Sequence, residues 1–190
     1  MKLLKPTYTI DELVARCKEG ERKAQEVLYK LLASKMLGVC MRYAADKAEA
    51  EDMLQNGFVN VFRKLADYRS EGAFEGWVRR IMVHSAIEYH RKYHRSVQLM
   101  EVTDSGYEPS VNAAAIATLS AKDLMGFIQE LPYNYKMVFN LYAIEGYSHK
   151  EISEMVGITE GASKSQLSRA RAILREMVIK MEDKRYGNAG

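Results

Sequence analysis

Cysteine, proline and tryptophan are scarce in this 190-residue chain, which holds two, three and one of them. The two cysteines, Cys17 and Cys40, form no C-x-x-C pair. That excludes a zinc ribbon or a dithiol redox motif and predicts buried, reduced thiols. So few prolines leave room for long helices. Apolar runs never exceed a handful of residues, so neither a signal peptide nor a membrane span is expected, and the expected location is the cytoplasm. A glycine-rich phosphate loop is missing, as is a Cys–His constellation, and the acidic pairs sit on amphipathic stretches. An enzyme is therefore not expected: no catalytic residue, no cofactor and no metal. His90 and His94 are spaced for zinc, but they lack a placed third ligand and have arginine and lysine neighbours.

Charge of one sign is also in short supply overall, with a net of +3. Its distribution carries more. Residues 1–95 hold 18 Lys+Arg against 13 Asp+Glu, residues 121–190 hold 10 against 9, and residues 96–120 hold no basic residue at all. An acidic gap containing Glu101, Asp104 and Glu108 thus separates two blocks. Hydrophobic residues make up 47% and charged ones 28%, a globular composition able to bury one core or two small ones.

Both blocks read as helical. Thr9 followed by Glu12 is a capping box, and Ile10, Leu13, Val14 and Cys17 share a face up to Gly20. A second run from about Glu21 carries Ala24, Val27, Leu28, Leu31 and Leu32. A third covers about Met36–Tyr43, and a fourth runs from Ala48 to about Leu65. After the "DYRSEGAFEG" break, a fifth covers Phe74–Tyr93. Trp77, four residues before Ile81, is expected in the core. The Gly-, Pro- and Ser-containing stretch 96–119 reads as a linker. Ser120 with Asp123 starts the second block, and Tyr135–Ile144 is its next helix.

"YSHKEISEMVGITEGASKSQLSRARAIL" then reads as a helix-turn-helix. Ser148 and Glu151 box the first helix, Gly157 supplies positive φ, Ile158 plugs the turn and Thr159 caps the second helix. At about 100° per residue, Leu167, Ala170, Leu174, Met177, Val178 and Met181 form one stripe. Lys164, Ser165, Ser168, Arg169 and Arg171 lie on the opposite face and its flank. A basic, hydroxylic face near a helix N-terminus suits the major groove and its phosphates. Ser163 falls on the apolar stripe, where a bond to a neighbouring backbone carbonyl or a capping role would satisfy it. The expected fold is all-α, with two small helical domains joined by a flexible linker, the second a helix-turn-helix.

Taken together, "AEDMLQNGFVNVFRKLADYRSEGAFEGWVRRIMVHSAIEYHRK" and "LPYNYKMVFNLYAIEGYSHKEISEMVGITEGASKSQLSRAR" resemble bacterial RNA polymerase sigma factors of the extracytoplasmic-function (ECF) type. The resemblance implies that residues 1–95 bind core polymerase and read and melt the minus-ten element. It implies that residues 120–184 read the minus-thirty-five element, with 96–119 as linker and 185–190 as tail. Its pattern assigns Asp52, Gln55, Phe58, Phe62 and Arg63 to the polymerase. It assigns Phe74, Arg79, Arg80, His84 and Arg91 to the minus-ten element, and Lys164, Ser165, Ser168, Arg169 and Arg171 to the upstream one. The implied partners are core RNA polymerase and promoter DNA, with an anti-sigma factor as a further partner the family commonly has. Some positions depart from the pattern. His84 stands where Asn is frequent, Glu88 where Asp is, Gln166 where Arg is, and Ala162-Ser163-Lys164-Ser165 where Thr-Val-Lys-Ser is. A helix-turn-helix regulator with a helical sensing domain is the rival reading. It predicts a ligand pocket or phospho-acceptor pattern in the first block instead of the Asp52/Gln55 helix.

Overall fold

The computed structural model describes residues 8–93 and 121–186, and among these every regular element is helical. The linker 96–119, the Ser120 cap and His94 lie outside the described residues. Two compact units divide at Tyr89 and His90.

The first unit comprises α1 (Ile10–Lys18), α2 (Arg22–Met41), α3 (Lys47–Arg63), a 3-10 turn (Leu65–Asp67) and α4 (Phe74–Tyr93) up to Tyr89, the last four residues of α4 counting with the second unit. The expected capping box forms on α1: the Thr9 amide donates to Glu12 at 2.7 Å and the Glu12 amide to the Thr9 hydroxyl at 3.2 Å. The second and third expected runs are one 20-residue helix, α2. Leu28, Leu32, Met36 and Val39 are all buried and continue a single stripe, so the chain has no physical reason to break near Lys35. Val27 and Leu31, expected on that face, are exposed. Asp46 starts α3 by accepting from the Glu49 amide at 2.8 Å.

Gly57 of α3 faces Met82 of α4, whose sulfur fills the space a Cβ would take. Leu13, Leu28, Met53, Leu65, Val78 and Met82 fill the core around this crossing. Each such side chain contributes about 1.5–3 kcal/mol by leaving water. Cys17 and Cys40 are buried and free, and burial pushes the Cys40 thiol up to about 12. That thiol therefore behaves as an inert apolar group.

The second unit contains α5 (Ala121–Glu130), α6 (Tyr133–Phe139), a π turn (Asn140–Ile144), α7 (His149–Val156) and the 27-residue α8 (Glu160–Tyr186). Ile128, Leu131, Ala170 and Leu174 form a core, flanked by Phe127, Tyr135, Phe139, Ile173 and Met177. Pro132 restarts the chain, and its carbonyl accepts from the Lys136 amide at 2.9 Å. The helix expected over Tyr135–Ile144 starts two residues earlier and ends in a wider winding. The Glu145 amide bonds the Asn140 carbonyl at 3.0 Å, and Gly146 at φ 79° then reverses the chain. No helix among the described residues is long and apolar enough to cross a membrane.

Candidate nucleic-acid interface

In the second unit the helix-turn-helix forms as local chemistry dictates. Ser148 and Glu151 make a complete capping box, and the hydrogen bonds from Ser148 hold the Glu151 carboxyl below its ordinary pKa. Gly157 ends α7 at φ 81°, and its amide donates to the Ser153 carbonyl at 2.9 Å. The Thr159 hydroxyl accepts from the Ala162 amide at 3.0 Å and so caps α8. The apolar stripe is as expected: Leu167, Ala170, Leu174 and Val178 are buried, while Met177 and Met181 are partly so.

The opposite side of α8 exposes Lys164, Ser165, Ser168 and Arg171. Arg169 differs from its companions. It is half-buried, with a guanidinium nitrogen 3.5 Å from the Tyr135 hydroxyl. The helical wheel had put it out in solvent, but a wheel cannot see α6 packed against that flank. Ser163 is fully buried, as its stripe position demands. Its hydroxyl meets no carbonyl of its own helix; it lies 2.9 Å from His149 Nδ1 on α7. The expected local bond is thus replaced by one across the two helices.

In the first unit the chain between α3 and α4 makes a tight corner. Ser70 takes φ 59° and Gly72 takes φ 122°. Tyr68 is held from several sides. Its hydroxyl donates to the Gly72 carbonyl at 2.8 Å, and its own carbonyl accepts from Lys18 Nζ at 2.8 Å. Its ring lies 5.0 Å from Phe74 and 5.2 Å from Trp77. Two clefts of about 330 and 260 Å³ open beside this cluster, and Asp67, Trp77 and Arg80 line both. Arg69 and Glu71 border the larger cleft; Asn60, Lys64 and His84 border the smaller.

Trp77 and Phe74 exchange their expected places. Trp77 is only half-buried, whereas Phe74 is 5% exposed and stacks beneath it with ring centroids 5.6 Å apart. Phe74 as it stands presents no open face; it packs beneath the partly exposed indole. Arg80, His84 and Arg91 are exposed, and Arg79 is half-buried. Loss of hydration in the cleft, followed by Lys64 and Arg80, holds the His84 imidazole below its ordinary pKa, with Glu88 opposing.

On α3, Asp52, Gln55 and Arg63 are exposed and Phe62 is partly so. Phe58, expected with them at a partner surface, is 3% exposed and packs on Tyr29 at 4.6 Å between ring centroids. It lies one turn from Leu54 and Val61 on the inward stripe, and burial overrides its place in the motif. Sequence reasoning had passed over Lys18, His149, Tyr142 and Gly57. Only Gly57 carries a sequence signal, a glycine inside a strong helical pattern.

Two family models match the chain in order: Sigma-70 region 2 over residues 28–96, and Sigma-70 region 4 over residues 121–174. The chain belongs to the RNA polymerase sigma factors of the ECF type. The RNA polymerase sigma-H factor of Pseudomonas aeruginosa is 26% identical over 171 residues, covering 84% of this chain and 89% of that protein. The ECF sigma-E factor of Haemophilus influenzae is 25% identical, covering 90% and 95% respectively. The ECF factor SigM of Bacillus subtilis is 26% identical, covering 79% and 92%. As an ECF sigma factor the chain binds core RNA polymerase, recognises promoter DNA and promotes transcription initiation; it is not an enzyme. The rival sensing-domain reading fails at the first block, which is region 2 of a sigma factor.

Proposed function

We propose that the two units of this sigma factor divide the promoter between them, acting in the cytoplasm. The observation that carries this is the pair of region models on one chain, each coinciding with a surface of matching chemistry. In the first domain, taken as residues 1–95, the clefts around Trp77 and Arg80 capture bases of the minus-ten element as they leave the stack. Opening a duplex costs stacking energy, and an aromatic wall beside cations returns part of it. Phe74 and Tyr68 act behind the wall by holding the indole in place. Arg79, Arg80, His84 and Arg91 lie along α4 to meet phosphates and base edges. On α3, the exposed Asp52, Gln55 and Arg63, with the edge of Phe62, face core polymerase, and Phe58 sets the helix that carries them. In the second domain, residues 120–184, Lys164, Ser165, Ser168 and Arg171 meet the minus-thirty-five element, with Arg169 braced on Tyr135 at their edge.

Run-off transcription with core polymerase tests this division. The chain is expected to give promoter-dependent transcripts. Asp52→Ala and Gln55→Ala are expected to weaken polymerase binding by roughly tenfold while the upstream-element affinity of the chain stays unchanged. Loss of promoter DNA affinity with intact polymerase binding in these variants would sink the assignment of α3.

A further inference from the structure

Ser163 sits where the family pattern has valine, on the buried stripe of α8, with no solvent-exposed surface. A hydroxyl in that place is destabilising unless it is paired. Its partner is His149, the first residue of α7 and fourteen residues earlier, with Nδ1 2.9 Å from the hydroxyl oxygen. The imidazole in turn lies against Tyr142 of the π turn, ring centroids 4.6 Å apart and planes inclined by 21°. The other contact of Tyr142 returns to α8, because the Arg171 guanidinium carbon stands 5.7 Å from the phenol ring centroid. The chain of contacts therefore closes on itself. It leaves α8 at Ser163, passes through α7 and the π turn, and re-enters α8 at Arg171, about 12 Å further along the helix axis.

We infer that His149 is a positioning residue of the DNA-reading helix, acting with Tyr142 and Ser163 to grip α8 at two points and to hold the Arg171 guanidinium in place. The apolar stripe of α8 already interlocks with its neighbours, yet its non-directional contacts and a single polar one leave a small freedom of rotation. Two contacts separated along the helix remove that freedom. The hydrogen bond adds direction that a Val–aromatic contact lacks, since Nδ1 and the hydroxyl must lie in line with the imidazole plane. The Tyr142 ring offers the guanidinium a face on one side and leaves its edge nitrogens for a phosphate or a guanine. The grip rests on the reading of α8 as the upstream-element helix for its consequence in DNA binding, though not for its existence.

A substitution cycle on the full chain tests it by two measurements. One is affinity for a duplex carrying the upstream element. The other is amide hydrogen exchange over residues 160–168 without DNA. His149→Phe strands the buried Ser163 hydroxyl, and Ser163→Val takes the partner from the half-buried His149 Nδ1; the first is expected to lower affinity and speed exchange about tenfold, the second by less. The double variant removes both partners and is expected to return within about threefold of the parent in both measurements. Tyr142→Leu and Arg171→Ala are each expected to make the log affinity against log salt slope shallower by about 0.9, and together by no more than either alone. Additive losses in the His149/Ser163 cycle overturn the proposal. So does rescue in exchange without rescue in affinity, since the bond would then hold the fold without placing the reader. A parent chain that never directs promoter-dependent transcription overturns the sigma reading instead, and the exchange cycle still decides the grip.

Discussion

The two helical units of this sigma factor put their polar and apolar chemistry in opposite places. In the first, the surface proposed to open DNA is built from rings: Phe74 and Trp77 stack, Tyr68 meets both at steeper angles, and only Trp77 remains partly exposed. In the second, the proposed reading face is polar, and polar contacts also penetrate inward to Ser163. The difference suits the tasks proposed for them. Capturing an unstacked base needs a rigid aromatic plane, whose support must be more of the same. Reading an intact groove needs a helix held at one rotation, which directional contacts secure better than greasy ones.

Phe74 offers the largest test of that contrast. Phe74→Ala is expected to lower the unfolding free energy of the first unit by about 3–5 kcal/mol, measured by denaturant titration. Unchanged stability with lost promoter opening would make Phe74 a base contact and erase the distinction between support and wall.

A smaller effect separates Lys164 from Arg169 on the second unit. Lys164→Ala is expected to flatten the salt dependence of upstream-element binding by about 0.9 in log–log slope. Arg169→Ala is expected to change that slope less, because its guanidinium is braced on Tyr135. Equal slopes would return Arg169 to the open face.

Acidity should move both units modestly and in the same direction. His84 and His149 are both held below the ordinary value of 6.5. For His149, lost hydration comes first and then Lys164 and Arg171 on α8, with Glu160 opposing; uncharged Tyr142 and Ser163 complete its surroundings. An imidazole that protonates less readily when folded than when unfolded adds no penalty above about pH 6.5. Stability then falls as pH drops from there through the lowered folded value. Denaturation midpoints at pH 7.5 and 5.5 are expected to show this fall, and His149→Phe is expected to shrink it for the second unit only. A midpoint that rises on acidification would contradict the arrangement of cations around both rings.

Local signals were legible to the residue. The Thr9/Glu12 and Ser148/Glu151 boxes, the Gly157 turn, the Thr159 cap and the span of α4 all rest on contacts within a few positions of one another. The exposed members of the α8 face follow from helical phase, whereas those of the first block rest on the family resemblance. Errors arose where two distant segments meet. Phe58 and Phe74 were assigned outward by motif and lie inside. Trp77 was expected inside and is half-buried, with part of its ring exposed, and Arg169 was expected free and is half-buried too.

By itself, then, the order of residues determined that this chain is helical, where most helices begin and end, and that its two halves are those of an ECF sigma factor. Caps and periodicity act over three or four residues, and a family pattern is written in the order of residues. Tertiary structure alone decided which ring stands in front of which, what closes over Arg169, and that Lys18 holds the corner fifty residues away at Tyr68. It also decided that Ser163 answers to His149. Those outcomes depend on the volume and direction of side chains arriving from other helices, and no periodicity along one helix contains them.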